Sequence, residues 1–307
     1  MKPLMNKTAA VALCALSATG LTFPGLTMAA QTGGIEVAVP AYVFPGDPFL
    51  TTMEDPVKMP VPPSIVIVNI ANGDADESII DHDADLLRAR TTASGEHVKV
   101  IGYVHTTHGA RSVADVEASI DRYLAPRNGA VHYDGIFFDE GIASCGPTAG
   151  SMQYRDYYRT LREYVWSKFP ASAQSLAVIN IGTAVNDCYL DPAHRAADVF
   201  VTFEDTADHY MTNAVDVGWK YGWVGGNVIV NGAYALGTQY DSTSFWHLVY
   251  NTSQARWSSV LDTALQRYAG YVDATDAYMV GTSLNPWAQM PSYLNSEVTY
   301  ANTLSHN

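Results

Sequence analysis

Short apolar segments recur along this chain, and each of them ends in polar residues before a loop or a helical segment follows. The run at 64–70 (SIVIVNI) is continuous and apolar, which indicates a strand that is buried on both faces. Residues 113–124 and 153–169 carry apolar side chains at three- and four-residue steps, which predicts helices between strands. Eight such units predict an α/β fold, a single-domain (β/α)8 TIM-type barrel, with a doubly wound sheet as the alternative. The predicted strands are 36–44, 64–70, 99–106, 134–140, 176–182, 199–205, 245–251 and 270–275.

Two segments depart from a regular strand pattern. Pro40 lies inside the first strand, and because proline has no N–H it predicts a sheet edge or a bulge there. Residues 219–244 lack helical spacing, and Val228-Ile229-Val230 followed by Asn231-Gly232 predicts a hairpin. This hairpin-like insertion falls between strands six and seven, at the face where a barrel carries its active site. Its aromatic side chains either stack on sugar rings or form a small apolar cluster of their own; they are Trp219, Tyr221, Trp223 and Tyr234.

The N-terminus predicts export. Lys2 and Lys7 precede an apolar stretch at 8–21, and small residues follow at 27–30, so residues 1–30 are expected to be a signal peptide. The domain is then 31–307, and we expect it to be secreted or periplasmic, monomeric and without a membrane span. The chain has 17 basic and 31 acidic residues, a net charge of -14, which argues against nucleic acid as a partner.

Two cysteines follow the predicted signal peptide, Cys145 and Cys188, and each comes just after a predicted strand. In an oxidising compartment they form either one disulfide or two free thiols. Their spacing is not that of a paired-cysteine metal motif, and we expect neither a metal nor a cofactor.

Polar side chains recur where the predicted strands end, and a barrel brings those ends to one mouth. Strand four ends in Asp139-Glu140, and strand six carries Glu204. Two carboxyl groups from different strands are the catalytic residues that a glycosidase needs: one protonates the leaving oxygen, and the other attacks the sugar or activates water. The neighbouring candidates for contacts with sugar hydroxyl and acetamido groups, each with a supporting or core role as the alternative, are Tyr42, Asn69, Tyr103, His105, Asn180 and Tyr250.

The chain resembles the spherulin-4-like family, spherulation-specific family 4, along nearly all of the predicted domain. The resemblance implies a barrel fold and endo-acting, retaining hydrolysis of α-1,4-linked N-acetylgalactosamine or galactosamine polysaccharide, because some members cut galactosaminogalactan. It also implies that Asp139, Glu140 and Glu204 are the essential acids. The motifs that carry it are Val39-Pro-Ala-Tyr42, Ile67-Val-Asn69, Gly102-Tyr-Val-His-Thr106, Asp134-Gly-Ile-Phe-Phe-Asp-Glu140, Val201-Thr-Phe-Glu204 and Asn285-Pro-Trp287 with Leu294.

We assign Asp139 as the nucleophile and Glu204 as the general acid/base. Glu140 then positions them, because neighbours on a strand point to opposite sides; an exchange of roles between Asp139 and Glu140 stays open. Two departures from the family pattern bear on substrate identity: the insertion at 219–244 is long, and strand seven ends in Val249-Tyr250-Asn251 where a histidine is expected.

Two other functions compete with this one. A metal-dependent polysaccharide deacetylase would bind zinc through His105, His108 and Asp139, although histidines three residues apart suit a helix face better than a strand end. A non-catalytic carbohydrate-binding envelope protein would use the same barrel without chemistry. A serine hydrolase is disfavoured, since the sequence has no Gly-x-Ser-x-Gly elbow.

Overall fold

The computed structural model describes residues 34–173, 175–212, 240–279 and 284–304, together with the backbone of two short strands at 227–230 and 233–236. Residues 31–307 belong to one compact unit. The predicted signal peptide, residues 1–30, lies outside the described residues, so the signal peptide and export stay predictions. In the described parts of the chain, no helix has the length and apolar character needed to cross a membrane.

Eight parallel strands close into a barrel in the order β1-β10-β9-β6-β5-β4-β3-β2, which confirms the (β/α)8 prediction over the doubly wound sheet. Two other strands, β7 and β8, form a separate antiparallel hairpin in which Val230 pairs with Ala233, so the hairpin predicted there is present. Trp219, Tyr221 and Trp223 lie outside the described residues, as does the side chain of Tyr234, so the role of these four aromatics stays a prediction. The strands are β1 Glu36–Ala41, β2 Ile65–Val68, β3 Lys99–His105, β4 Gly135–Asp139, β5 Leu176–Asn180, β6 Val199–Thr206, β7 Asn227–Val230, β8 Ala233–Leu236, β9 Phe245–Tyr250 and β10 Tyr271–Ala274.

The helices pack outside the barrel and bury the apolar stripe that their sequences predict. Ser112 accepts a hydrogen bond from the Asp115 amide and so begins the third helix, which buries Val116, Ile120 and Leu124. The seventh helix begins at Trp257 and buries Val260, Leu261 and Ala264. The helices are α1 Pro48–Glu54, α2 Asp81–Arg88, α3 Val113–Leu124, α4 Gln153–Ser167, α5 Asp187–Leu190, α6 Ala207–Met211, α7 Trp257–Gln266 and α8 Leu294–Ala301.

Aromatic rings fill the inside of the barrel. Tyr103 packs against Phe137 with ring centroids 6.1 Å apart, and Phe137 packs edge-on against Trp246 at the same distance. Trp246 continues to Tyr271 at 6.2 Å. Since side chains alternate along a strand, Phe137 facing inward also turns Asp139, two residues later, toward the barrel mouth.

The prediction of a sheet edge or a bulge at Pro40 in the first strand is wrong. Pro40 is neither at an edge nor at a bulge: it lies opposite Ile67 in regular register with β2. The barrel tolerates it because the ladder between β1 and β10 ends at the pair Val37 and Val272, before Pro40 is reached. The Glu36 amide donates to the carbonyl oxygen of Gly270 on the β10 side. Because backbone groups alternate along a strand, the backbone nitrogen of Pro40 faces the same side, where no ladder hydrogen bond is required.

Two close contacts join β4 and its following loop to β5 and α5. A side chain at Gly135 would place its Cβ 1.8 Å from the carbonyl oxygen of Leu176, so only glycine fits the strand start. Cys145 and Cys188 form a disulfide that joins the loop after β4 to α5, which decides in favour of the bridge over two free thiols. The loops around Asp139 and Asn180 are therefore held together covalently.

Candidate active site

Asp139 ends β4 and is fixed there by hydrogen bonds to both carboxylate oxygens. The hydroxyl of Tyr103 donates to Oδ2 at 2.6 Å, and Nδ2 of Asn180 donates to Oδ1 at 2.8 Å. Desolvation and the charge of Asp139 raise the pKa of Tyr103, so this hydroxyl keeps its proton and remains a donor. Two donors on one carboxylate stabilise its negative charge.

Glu204 reaches the same mouth because of a bulge in β6. The register with β9 shifts between Val201 and Phe203, so that Thr202 is the extra residue. Without it, strict alternation from Val201 would turn Phe203 inward and Glu204 outward. In the structure Phe203 packs outside against Tyr210 at 4.7 Å, and Glu204 faces the site.

The Glu204 carboxylate also receives two hydrogen bonds. Nδ2 of Asn180 donates to Oε2 at 2.6 Å, and the indole nitrogen of Trp287 donates to Oε1 at 2.9 Å. Desolvation, followed by the negative charge of Asp139, raises the pKa of Glu204 to about 7, and the two donated hydrogen bonds oppose that rise. Glu204 is therefore the carboxyl that can hold a proton near neutral pH, beside a hydrogen-bonded Asp139.

Two tyrosines border this pair of acids. The ring of Tyr42 packs edge-on against Tyr103 at 5.4 Å, and desolvation followed by the charge of Asp139 raises the pKa of Tyr42. Tyr250 packs edge-on against Trp287 at 6.2 Å, and desolvation together with Asp205 raises its pKa to about 12. The Tyr250 hydroxyl donates to Oδ1 of Asp205 at 3.4 Å. Both phenols stay protonated at neutral pH, so either hydroxyl can donate to a sugar oxygen.

Glu140 points away from the pair of acids. Its backbone lies in the left-handed region, with φ of 55°, and Oε2 accepts a hydrogen bond from the Thr107 amide at 3.0 Å. Its side chain is 43% exposed, and Oε2 lies 3.8 Å from Nδ1 of His105. A residue other than glycine is strained in the left-handed region, so this orientation of Glu140 costs conformational energy in the loop after β4.

Two of the six residues predicted to contact sugar, His105 and Asn69, make hydrogen bonds to residues other than the two acids. His105 bonds Asp74 through Nε2 at 3.0 Å and Thr107 through Nδ1 at 3.2 Å. Asn69 accepts the amide of Asn72 at 2.9 Å and so caps the turn after β2. The structure therefore gathers Tyr103, Asn180, Asp139 and Glu204 by direct hydrogen bonds. Tyr42 packs on Tyr103, and Tyr250 packs on Trp287, the second donor to Glu204.

The sequence indicates no role for Trp287 beyond its place in the Asn285-Pro286-Trp287 motif. The only signal was that motif, because Trp287 is 83 residues from Glu204 along the chain. The sequence likewise indicates no role for Asp134, which is buried at the other end of β4, where Arg88 donates to both of its carboxylate oxygens at 3.0 and 3.1 Å.

The three residues of the zinc hypothesis do not converge. His105 is bonded to Asp74, Nδ1 of His108 lies 3.3 Å from the Gly141 carbonyl oxygen, and Asp139 is bonded to Tyr103 and Asn180. Across the described parts of the chain, no group of three or more His, Cys, Asp or Glu side chains has a metal-binding arrangement.

A closed parallel barrel that carries a hydrogen-bonded pair of carboxylates at its mouth belongs to the class of fold and site that glycoside hydrolases use. The model of spherulation-specific family 4 matches residues 36–301. The chain belongs to that family, and the resemblance in its motifs is confirmed. Spherulin-4 of Physarum polycephalum is 28% identical over 297 residues, which are 95% of this chain and 77% of that protein.

A solved structure shares the fold. The crystal structure of Aspergillus clavatus Sph3 in complex with GalNAc aligns with a TM-score of 0.64 and 20% identity. The alignment covers 89% of this chain and 99% of that one. The match extends through nearly the whole barrel and so supports the fold independently of the sequence motifs.

Proposed function

We propose that the chain is a secreted, endo-acting glycoside hydrolase that cleaves α-1,4-linked N-acetylgalactosamine or galactosamine polysaccharide. The observation that carries the proposal is the pair Asp139 and Glu204, which share the amide of Asn180 while Glu204 has a pKa of about 7. Glycoside hydrolysis requires one ionised carboxylate and one protonated carboxylic acid side by side. Asp139, stabilised by its donors, fits the first role, and Glu204, which keeps its proton, fits the second.

The spacing supports a retaining mechanism. Oδ1 of Asp139 and Oε2 of Glu204 each lie one hydrogen bond from the same nitrogen, at 2.8 and 2.6 Å, so these oxygens cannot be farther apart than the two bonds laid end to end. The largest possible distance between these two carboxyl oxygens thus matches the separation of roughly 5–5.5 Å between the two carboxyl groups of retaining enzymes. It is shorter than the separation of roughly 6.5–9.5 Å in inverting enzymes.

In the proposed reaction Glu204 gives its proton to the glycosidic oxygen as the bond to the anomeric carbon breaks. Asp139 attacks that carbon and forms a covalent glycosyl ester. The ionised Glu204 then takes a proton from water, whose oxygen displaces Asp139 and releases the sugar with its original configuration. Tyr103 and Asn180 hold Asp139 in line for both steps, and Tyr42 and Tyr250 are donors for sugar hydroxyls.

The substrate class rests on the family and on charge. The Sph3 structure named above holds GalNAc, and we extend an amino-sugar substrate to this chain on that basis. The net charge of -14 suits a partly deacetylated, cationic galactosamine polymer, because opposite charges steer the encounter.

Release of reducing ends from galactosaminogalactan and from partly deacetylated galactosamine polymer tests the proposal. We expect oligosaccharides from the wild type, a loss of roughly 10³-fold or more in Asp139→Asn and Glu204→Gln, and a smaller loss in Glu140→Gln. Glu163→Gln is the matched control, because its side chain is 62% exposed on α4. Near-normal turnover in Asp139→Asn would remove the nucleophile assignment. Tight polymer binding without any release would favour the non-catalytic carbohydrate-binding protein.

A further inference from the structure

In the described part of the loop that follows β10, the side chain of Trp287 reaches the proposed active site. The indole N–H of Trp287 donates to Oε1 of Glu204 at 2.9 Å, and the residue is 4% exposed. The final loop of the barrel therefore contacts the acid on the side opposite to Asn180, which binds Oε2.

Trp287 is itself held from three directions. Its amide donates to the side chain of Asn285 at 2.9 Å, and its carbonyl oxygen accepts the Tyr42 amide at 2.9 Å. Its ring packs edge-on against Tyr250 at 6.2 Å. The indole is thus fixed before any substrate arrives, and it joins the loops of β1, β9 and β10 to one oxygen of Glu204.

We infer that Trp287 is a positioning residue that fixes the Glu204 carboxyl group and limits how tightly it holds its proton. The inference rests on the proposed function for its catalytic meaning. Burial and the charges of Asp139 and Asp205 favour the protonated form of Glu204. An acid that binds its proton too strongly cannot release it to a leaving oxygen. An indole N–H only donates, so it stabilises the ionised form and can never compete for the proton.

A purely structural tryptophan would behave differently from a positioning one. If Trp287 only filled space, a phenyl ring in its place would change stability and leave the protonation of Glu204 unaltered. If its N–H acts on Glu204, the loss of that donor should raise the pH at which Glu204 ionises, with little effect on the folded barrel.

The first measurement is the pH dependence of kcat/KM for wild type and Trp287→Phe. We expect the alkaline limb to move upward by about one pH unit and kcat to fall about 10- to 100-fold, with a smaller change in KM, since a hydrogen bond to a charged group has that strength. Trp166→Phe is the matched control, because Trp166 also donates its indole N–H to a carboxylate, Asp198, at 3.2 Å on the outside of the barrel. We expect the control to keep the wild-type profile.

A second measurement does not need activity. The indole ¹H–¹⁵N resonance of Trp287, assigned by its absence in Trp287→Phe, should titrate with the midpoint of Glu204 and lose that titration in Glu204→Gln. Should Trp287→Phe fold poorly, a benzothienyl-alanine at this position keeps the shape and removes only the donor. An unshifted profile or an indole that does not titrate would overturn the inference. A wild type that titrates but hydrolyses no polymer would instead remove the proposed function, so the two failures are distinguishable.

Discussion

Oδ1 of Asp139 and Oε2 of Glu204 accept hydrogen bonds from the same atom, Nδ2 of Asn180, at 2.8 and 2.6 Å. Asn180 is the last residue of β5, between the strands that carry the two acids, and its carbonyl oxygen accepts the Gly141 amide at 2.7 Å. A side chain at Gly141 would place its Cβ 2.5 Å from that oxygen, so glycine is required for this contact. One amide thus uses both of its N–H groups to hold the two carboxyl groups close together.

The first prediction concerns this shared donor. In Asn180→Ala both carboxyl groups lose a donated hydrogen bond, and no side chain then links them, so we expect kcat to fall about 10- to 100-fold. Steady-state kinetics on the galactosamine polymer measure it. Asn186→Ala is the control, since Nδ2 of Asn186 donates to the Ala143 carbonyl oxygen at 2.7 Å and touches neither acid. Equal losses in the two variants would mean that Asn180 has only a folding role.

The second prediction is an alkaline limit to activity. Glu204 must be protonated to act as the acid, and its pKa is about 7, so kcat/KM should fall tenfold for each pH unit above that value. The sign follows from the role: deprotonation removes the acid, and the limb descends toward high pH. A pH profile on a neutral, fully acetylated substrate checks it, because titration of substrate amines is then absent. Activity that stays constant up to about pH 9 would assign the acid to another group.

The barrel could be predicted from the sequence because local patterns determine its elements. The run at 64–70 and the helical spacing of Val116, Ile120 and Leu124 each decide a strand or a helix within one short window. The site could be predicted only in part, because it depends on features outside such windows. The bulge at Thr202 changes the phase of β6 and turns Glu204 inward, and no alternation rule indicates it. Trp287 reaches Glu204 only after the barrel closes.

The third prediction concerns the disulfide. Cys145 and Cys188 are 43 residues apart, and closing a loop of that length lowers the entropy of the unfolded chain enough to stabilise the fold by about 4 kcal/mol. We expect Cys145→Ser with Cys188→Ser to lose a free energy of unfolding of this order in urea titration. Dithiothreitol should destabilise the wild type similarly and leave the double variant unchanged. A double variant as stable as the oxidised wild type would contradict the prediction.

The fourth prediction concerns a buried pair of carboxyl groups at the seam between β1 and β10. Asp273 is 2% exposed and Glu297 is fully buried, and Oε1 of Glu297 accepts the Ala274 amide at 2.8 Å, beyond the point where the ladder to β1 has ended. Burial raises the pKa of both groups, and the charge of Asp273 raises that of Glu297 further. Asp276 adds negative charge nearby, and the Tyr293 hydroxyl donates to the Thr252 carbonyl oxygen instead of to this pair.

The consequence is that these two carboxyl groups contribute stability that is lost as pH rises. Above about pH 4 the unfolded chain releases these protons while the folded chain retains them, so the folded state binds more protons and the free energy of unfolding falls with increasing pH until the folded groups ionise. Glu297→Gln keeps an oxygen for the Ala274 amide and removes one titrating group, so its melting temperature should depend less on pH between about 5 and 8 than that of the wild type. Glu163→Gln, exposed on α4, should keep the wild-type slope, and equal slopes in all three proteins would mean that Glu297 does not titrate with unfolding.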